Sequence, residues 1–172
     1  MVIQTQRLRL VPLSLRYLDS ACAYALNPDN ARMMVYLPNR DKAETEAFIR
    51  RAEEEWRKEE PEFLEFAVLR GDEHIGGVTM YFEGDFSRGE LGWIIRSDCQ
   101  GQGYAAEAAR GLMDWFHTHQ NINRFIAHCD SENEPSKRVM EKLGMTLAEI
   151  HGGRFNRSSK EERQECLYEI TI

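Results

Sequence analysis

Gln100-Gly101-Gln102-Gly103-Tyr104-Ala105 stands where the chain changes from strand to helix. Before it, Glu90-Leu91-Gly92-Trp93-Ile94-Ile95 reads as an extended segment, and the residues from Gly103 to about Gln120 carry helical apolar spacing. Glycine lets the backbone take left-handed dihedrals and lets a ligand come close to it. The first N–H groups of a helix have no internal partner, and the helix dipole puts partial positive charge at the same point. The order strand, glycine turn, helix start therefore predicts a phosphate-binding loop. The Lys-Ser/Thr pair of a P-loop is missing, since Tyr104-Ala105 follows the last glycine. The dinucleotide fingerprint needs a third glycine and a parallel βαβ unit, and neither fits the segments around this loop. A tight turn without a ligand is the plainer alternative.

Upstream of the loop, Phe63 to Leu69, His74 to Phe82 and Arg88 to Ile95 read as three strands. Arg70-Gly71-Asp72-Glu73 and Glu83-Gly84-Asp85 separate them, which predicts an antiparallel meander. Arg7-Leu8-Arg9-Leu10-Val11 alternates as a first strand and stops at Pro12. Helices are expected over 15–26, with Ser14 as cap, and over 41–59, where Asp41 and Glu44 have capping-box spacing. Downstream come a strand at Arg124 to Cys129, a helix from Pro135 to Leu143, and strands near Thr146 to His151 and Gln164 to Ile170. The meander followed by a β-α-β step requires a mixed sheet, so the class is α+β: about seven strands in a central twisted sheet, flanked by about four helices. The polar stretch Arg154 to Arg163 is expected to be a mobile loop.

The chain of 172 residues suits a single domain, 1–172. No apolar run reaches the roughly 18 residues of a membrane span. The amino-terminal residues lack the order of a signal peptide, so a cytoplasmic location without membrane contact is expected. Cys22, Cys99, Cys129 and Cys166 form no Cys-x-x-Cys pair, and His117 and His119 face different ways on a helix, so no metal site is expected. The formal charge of −7 argues against a nucleic-acid partner and suits a cationic substrate such as an amine.

The window from Glu90 to Met145 resembles the GNAT N-acetyltransferase superfamily. The resemblance rests on Gln100-Gly101-Gln102-Gly103-Tyr104-Ala105, on the strand before it, on Asn133-Glu134-Pro135-Ser136 and on Glu141-Lys142-Leu143-Gly144-Met145. The start Thr5-Gln6-Arg7-Leu8-Arg9-Leu10 resembles that of the RimJ/RimL branch, the ribosomal-protein alanine N-acetyltransferases. The resemblance implies a GNAT fold, acetyl-coenzyme A as cosubstrate, and direct attack of an amine on the thioester. The acceptor is a protein amino terminus or a small amine, and a homodimer is compatible with the family.

It also implies site residues. Backbone groups of Trp93, Ile94 and Ile95 would pair with the pantetheine arm, and those of Gln102, Gly103, Tyr104 and Ala105 would hold the pyrophosphate, with Gln100 and Gly101 shaping the approach. Asn133 would touch the coenzyme arm, although an Asn here also suits a helix cap. Ser136 is the candidate general acid for the departing thiolate. Glu90, on the strand leading to the loop, is the candidate base that takes the amine proton, and Glu65 and Glu83 are less favoured. His128 and Cys129 are expected to pack at a strand end. The alternative from another class is a coenzyme A-binding sensor without catalysis.

Overall fold

The computed structural model describes residues 1–83 and 88–172, without the Glu83 side chain. The Glu83-Gly84-Asp85 turn and the role weighed for Glu83 lie outside the described residues. The strands are β1 (Ile3–Gln4), β2 (Arg9–Pro12), β3 (Phe63–Arg70), β4 (Glu73–Glu83), β5 (Arg88–Ile95), β6 (Arg124–Asp130), β7 (Thr146–Phe155) and β8 (Glu162–Thr171). The helices are α1 (Leu18–Ala25), α2 (Lys42–Glu55), α3 (Tyr104–Gln120) and α4 (Glu134–Lys142). All eight strands form one mixed sheet in the order β1-β2-β3-β4-β5-β6-β8-β7. The α+β expectation holds, with one strand more than expected: Ile3–Gln4 pairs antiparallel with β2 and extends the edge.

Strand β3 is buried over Phe63–Leu69, because both faces of the sheet are covered. Leu64, Phe66 and Val68 join the core under α3 and α4, with Ala108, Leu112, Met113 and Met140. Ala67 and Leu69 face the other way and pack with Leu13, Tyr17, Ala21, Tyr24 and Ile49, from α1, α2 and the turn before α1. Helix α1 starts later than expected. Ser14 makes no side-chain cap; residues Leu15–Tyr17 form a 3-10 turn, and the Leu15 amide donates to Glu53 (3.1 Å). Asp41 does cap α2, accepting from the Glu44 amide at 2.9 Å.

Two features position the site. The parallel pairing of β5 with β6 covers Arg88–Glu90 against Arg124–Ile126, after which β5 runs on to Ile95 and β6 to Asp130. The second concerns residues 154–163. The loop is shorter than expected and spans 156–161, because Arg154 and Phe155 end β7 and pair with Arg163 and Glu162 at the start of β8. Arg154 and Asn156 are buried there.

Candidate active site

After β5, a 3-10 turn over Ser97–Cys99 leads into the glycine loop. Gln100 folds back, its Nε2 donating to the Ile95 carbonyl at 2.8 Å. Asn30, from the segment between α1 and α2, donates to the same carbonyl at 3.2 Å. Gly101 and Gly103 have φ of +75° and +82°, a region that L side chains rarely occupy. The Gly103 carbonyl accepts from Glu107 N–H (3.0 Å), which starts α3 and leaves the preceding amides without intrahelical partners.

The amino-terminal segment locks this loop. The Glu107 carboxylate, in the first turn of α3, accepts from Thr5 Oγ1 (2.6 Å), Arg7 N (2.7 Å) and Arg7 Nε (2.6 Å). Arg7 Nη1 also donates to the Gln102 carbonyl at 3.0 Å, and its guanidinium lies over the Tyr104 ring at 4.6 Å.

Where β5 and β6 part, Glu90 and His128 face each other. His128 Nδ1 lies 2.9 Å from Glu90 Oε1, with both side chains about a quarter exposed (26% and 29%). The hydrogen bond to Glu90 raises the His128 pKa above its ordinary value, against the opposing effect of burial. Phe125, Ala127 and Cys129 enter the core beneath α3 and α4, so period-two alternation turns Ile126, His128 and Asp130 to the face that carries Glu90.

That face continues into a buried polar group. Glu65 is opposite Thr79, which is opposite Gly92, one row from Tyr81 and Glu90. Burial pushes the Glu65 carboxyl up to about 7, and the Thr79 hydroxyl that donates to it offsets only part of the rise. The Tyr81 hydroxyl is also raised, by burial first and then by the Glu65 and Glu90 charges.

The segment between α1 and α2 bridges the parting of the strands. Asn30 ties it to β5, and the far end of β7 ties it on the other side. There, Arg154 Nη2 donates to the Met33 carbonyl (2.8 Å), and Arg157 donates to the Tyr36 carbonyl (2.9 Å) and Glu44 (2.8 Å). Arg154 in turn is held by Glu165 and by Asn156 at 2.9 Å, and Asn156 donates to Asp130 at 2.6 Å. Burial alone would raise the Asp130 carboxyl, but donors from Arg163, Glu132 N–H and Asn156 outweigh it and hold it at about 2.

The family model "Acetyltransferase (GNAT) domain" matches residues 7–146. The chain belongs to the GNAT acetyltransferase family. One relative of this GNAT protein, the N-acetyltransferase YnaD of Bacillus subtilis (strain 168), is 40% identical over 83 residues, 46% of this chain. The match spans about half (48%) of the YnaD chain. The N-acetyltransferase p20 of Bacillus licheniformis is 28% identical over 143 residues, covering 82% of this chain and 80% of p20. Among solved structures, RimL, the ribosomal L7/L12 alpha-N-protein acetyltransferase in complex with coenzyme A, superposes with a TM-score of 0.87. It is 16% identical and covers 100% of this chain and 98% of its own, so the GNAT chain shares the fold of the branch that its amino terminus resembles.

The structure gathers Gln100–Ala105 and the end of β5 at one end of the strand parting, with Glu90 at the other. Within β5, the Ile94 carbonyl lies against Gly76 of β4, and alternation turns the backbone of Leu91, Trp93 and Ile95 to the open side. Asn133 caps α4, its Oδ1 accepting from Ser136 N–H at 3.2 Å, which sets Ser136 in the first turn. Lys137 is paired with Glu134 at 2.8 Å. Among the described residues no cluster of His, Cys, Asp or Glu is placed to hold a metal ion, and no helix is long and apolar enough to cross a membrane.

His128 is the residue that sequence reasoning missed. It was expected to pack, yet it is half-buried and bonded to Glu90. The available signal was its period-two position on β6, shared with Asp130.

Proposed function

We propose that this GNAT protein transfers an acetyl group from acetyl-coenzyme A to a primary amine by direct attack, as a cytoplasmic enzyme. The observation that carries the reading is the parting of β5 from β6 beyond Glu90 and Ile126, beside the left-handed glycines of the loop. An orphan atom supports the fit: Asn30 Oδ1 is buried without a partner, on a side chain that already reaches the end of β5. An amide N–H of a pantetheine arm would satisfy it.

In this reading the amides of Gln102, Gly103, Tyr104 and Ala105 receive the pyrophosphate, with the α3 dipole behind them. Trp93 and Ile95 offer backbone groups to an extended arm as an added strand would, and Ile94 fixes the edge through β4. Asn133, its oxygen used in the cap, keeps an NH2 group to donate. Bound acetyl-coenzyme A supplies a thioester carbonyl open to attack. The Glu90 and His128 pair takes up the first proton that the ammonium must lose; the Ser136 hydroxyl gives a proton to the leaving sulfur and is refilled, through water, by the second proton that the nitrogen loses as the amide forms. Holding the two reactants side by side supplies most of the acceleration, and proton transfer adds ~10²–10⁴-fold.

The acceptor is a protein amino terminus or a small amine. The part-exposed Glu90 carboxylate, on the face that also carries Tyr81 and Glu65, suits a cation. An acetyl-transfer screen over amino-terminal peptides, polyamines and other small amines tests the reading. Turnover of one class supports it; coenzyme binding without transfer to any amine would leave a sensor in its place.

A further inference from the structure

We infer that His128 is the group that removes the proton from the acceptor ammonium, and that Glu90 is the positioning residue that holds it. This rests on the acetyl-transfer reading given above. An ionised carboxylate has no hydrogen to give, so the 2.9 Å contact places the proton on His128 Nδ1. In the neutral ring the lone pair is then on Nε2, the tautomer a base requires. Glu90 sits at the last paired rung of β5 and β6, opposite Ile126, and His128 lies two residues beyond it, where the strands have parted.

Chemistry favours the imidazole. An imidazole is a stronger base toward an ammonium than a carboxylate is, and a proton acceptor works best when its pKa is close to the working pH. The surroundings keep the ring basic. Glu90 on β5 is its closest charge, Glu165 on β8 adds to the rise, and Arg154 on β7 opposes it. Arg154 is itself bound to Glu165, Asp130 on β6 with His128 is held by Arg163, and Lys137 on α4 is paired with Glu134. In the step, the N–H bond of the ammonium breaks, its electron pair stays on the amine nitrogen, and the proton forms a new bond to Nε2. The Nδ1–H stays with Glu90, and the imidazolium returns its proton to water after the acetylated product leaves.

The test combines activity with a readout on the free protein. The pH dependence of kcat/KM is measured with acetyl-coenzyme A and a free-amino-terminus peptide or a polyamine, for wild type, His128→Gln and Glu90→Gln. The His128 imidazole is titrated by NMR in wild type and Glu90→Gln. In wild type the rate rises with pH through an ionisation above the ordinary histidine value, and the ring titrates at the same pH. Glu90→Gln keeps the limb and moves both transitions to lower pH. His128→Gln removes the limb and lowers kcat by ~10²-fold or more, with the KM for acetyl-coenzyme A unchanged. The inference is overturned if the limb survives in His128→Gln, or if the wild-type ring titrates below its ordinary value. The ring titration decides even where a variant does not fold. Wild-type protein that acetylates no amine would overturn the underlying reading as well, an outcome distinct from active protein with an unmoved limb.

Discussion

Arg7 and Glu107 are 100 residues apart in sequence and form one unit, with Arg7 Nε 2.6 Å from Glu107 Oε2 and the Arg7 amide 2.7 Å from Oε1. Because Arg7 also holds the Gln102 carbonyl, the strand-edge segment fixes the loop and the first turn of α3 together. The Thr-x-Arg-Leu start thereby acquires a physical role: it holds the glycine loop and the first turn of α3 in place from a distance.

Arg7→Ala is accordingly expected to weaken acetyl-coenzyme A binding rather than slow the transfer step. Charge-assisted hydrogen bonds of this kind contribute on the order of 1.5–3 kcal/mol, so the KM for acetyl-coenzyme A should rise roughly tenfold or more, with kcat nearly unchanged. Steady-state kinetics with the coenzyme as the varied substrate checks this. A lowered kcat at unchanged KM would contradict it.

Gly103→Ala forces a side chain into the left-handed region at φ +82°, where the new Cβ meets only Arg7 Nη2 at 3.5 Å. The cost is backbone strain of about 1–2 kcal/mol rather than a clash. In a chain of this size that lowers Tm by roughly 2–8 °C. Calorimetry with and without acetyl-coenzyme A should show that drop and a much smaller stabilisation by the ligand than in wild type.

Glu65 and His74 are expected to give opposite pH slopes to stability. Burial lowers the His74 pKa to about 4, and the ring bonds Ser20 and the Gly76 carbonyl in its neutral form. Its stabilisation is present above the unfolded value and is lost as pH falls towards 4. Glu65, raised to about 7 by burial, contributes stability at low pH that is lost as pH rises through 7. Each slope is ~1.4 kcal/mol per pH unit, so wild-type stability should be nearly flat from pH 4.5 to 6.5 as far as these two groups decide it. Denaturant titrations of Glu65→Gln should show stability rising with pH across this window, and of His74→Gln falling. Equal slopes in the two variants would contradict the assignment.

Arg157 fastens the far end of the 27–41 segment through Tyr36 and holds Glu44 at the start of α2, whereas Asn30, the residue of that segment that reaches the end of β5, lies near its beginning. Arg157→Ala is expected to raise the KM for the amine several-fold and to leave the KM for acetyl-coenzyme A unaltered. Two-substrate kinetics separates these effects; an equal rise in both would contradict it.

The meander from β3 to β5 was legible because Pro61 and Arg70-Gly71-Asp72-Glu73 bracket apolar runs of strand length. Ile3–Gln4 was not, since two residues carry no period. The end of β7 was hidden for a different reason. Arg154 and Asn156 are polar, and polar residues in sequence read as loop, yet buried ion pairs and hydrogen bonds to Glu165 and Asp130 draw them inside. The glycine loop could be read locally, because its conformation depends on neighbours in sequence. The Glu90 and His128 pair could not, because its members are 38 residues apart and meet only once the parallel rung between β5 and β6 has formed.

Product analysis by mass spectrometry after incubation with acetyl-coenzyme A and an accepted amine tests the central claim most directly. Direct transfer predicts acetyl on the amine nitrogen, free coenzyme A in equal amount, and no acetylated protein at any time. Acetyl carried on a protein side chain before it reaches the amine, or thioester hydrolysis without acetylated amine, would contradict the account.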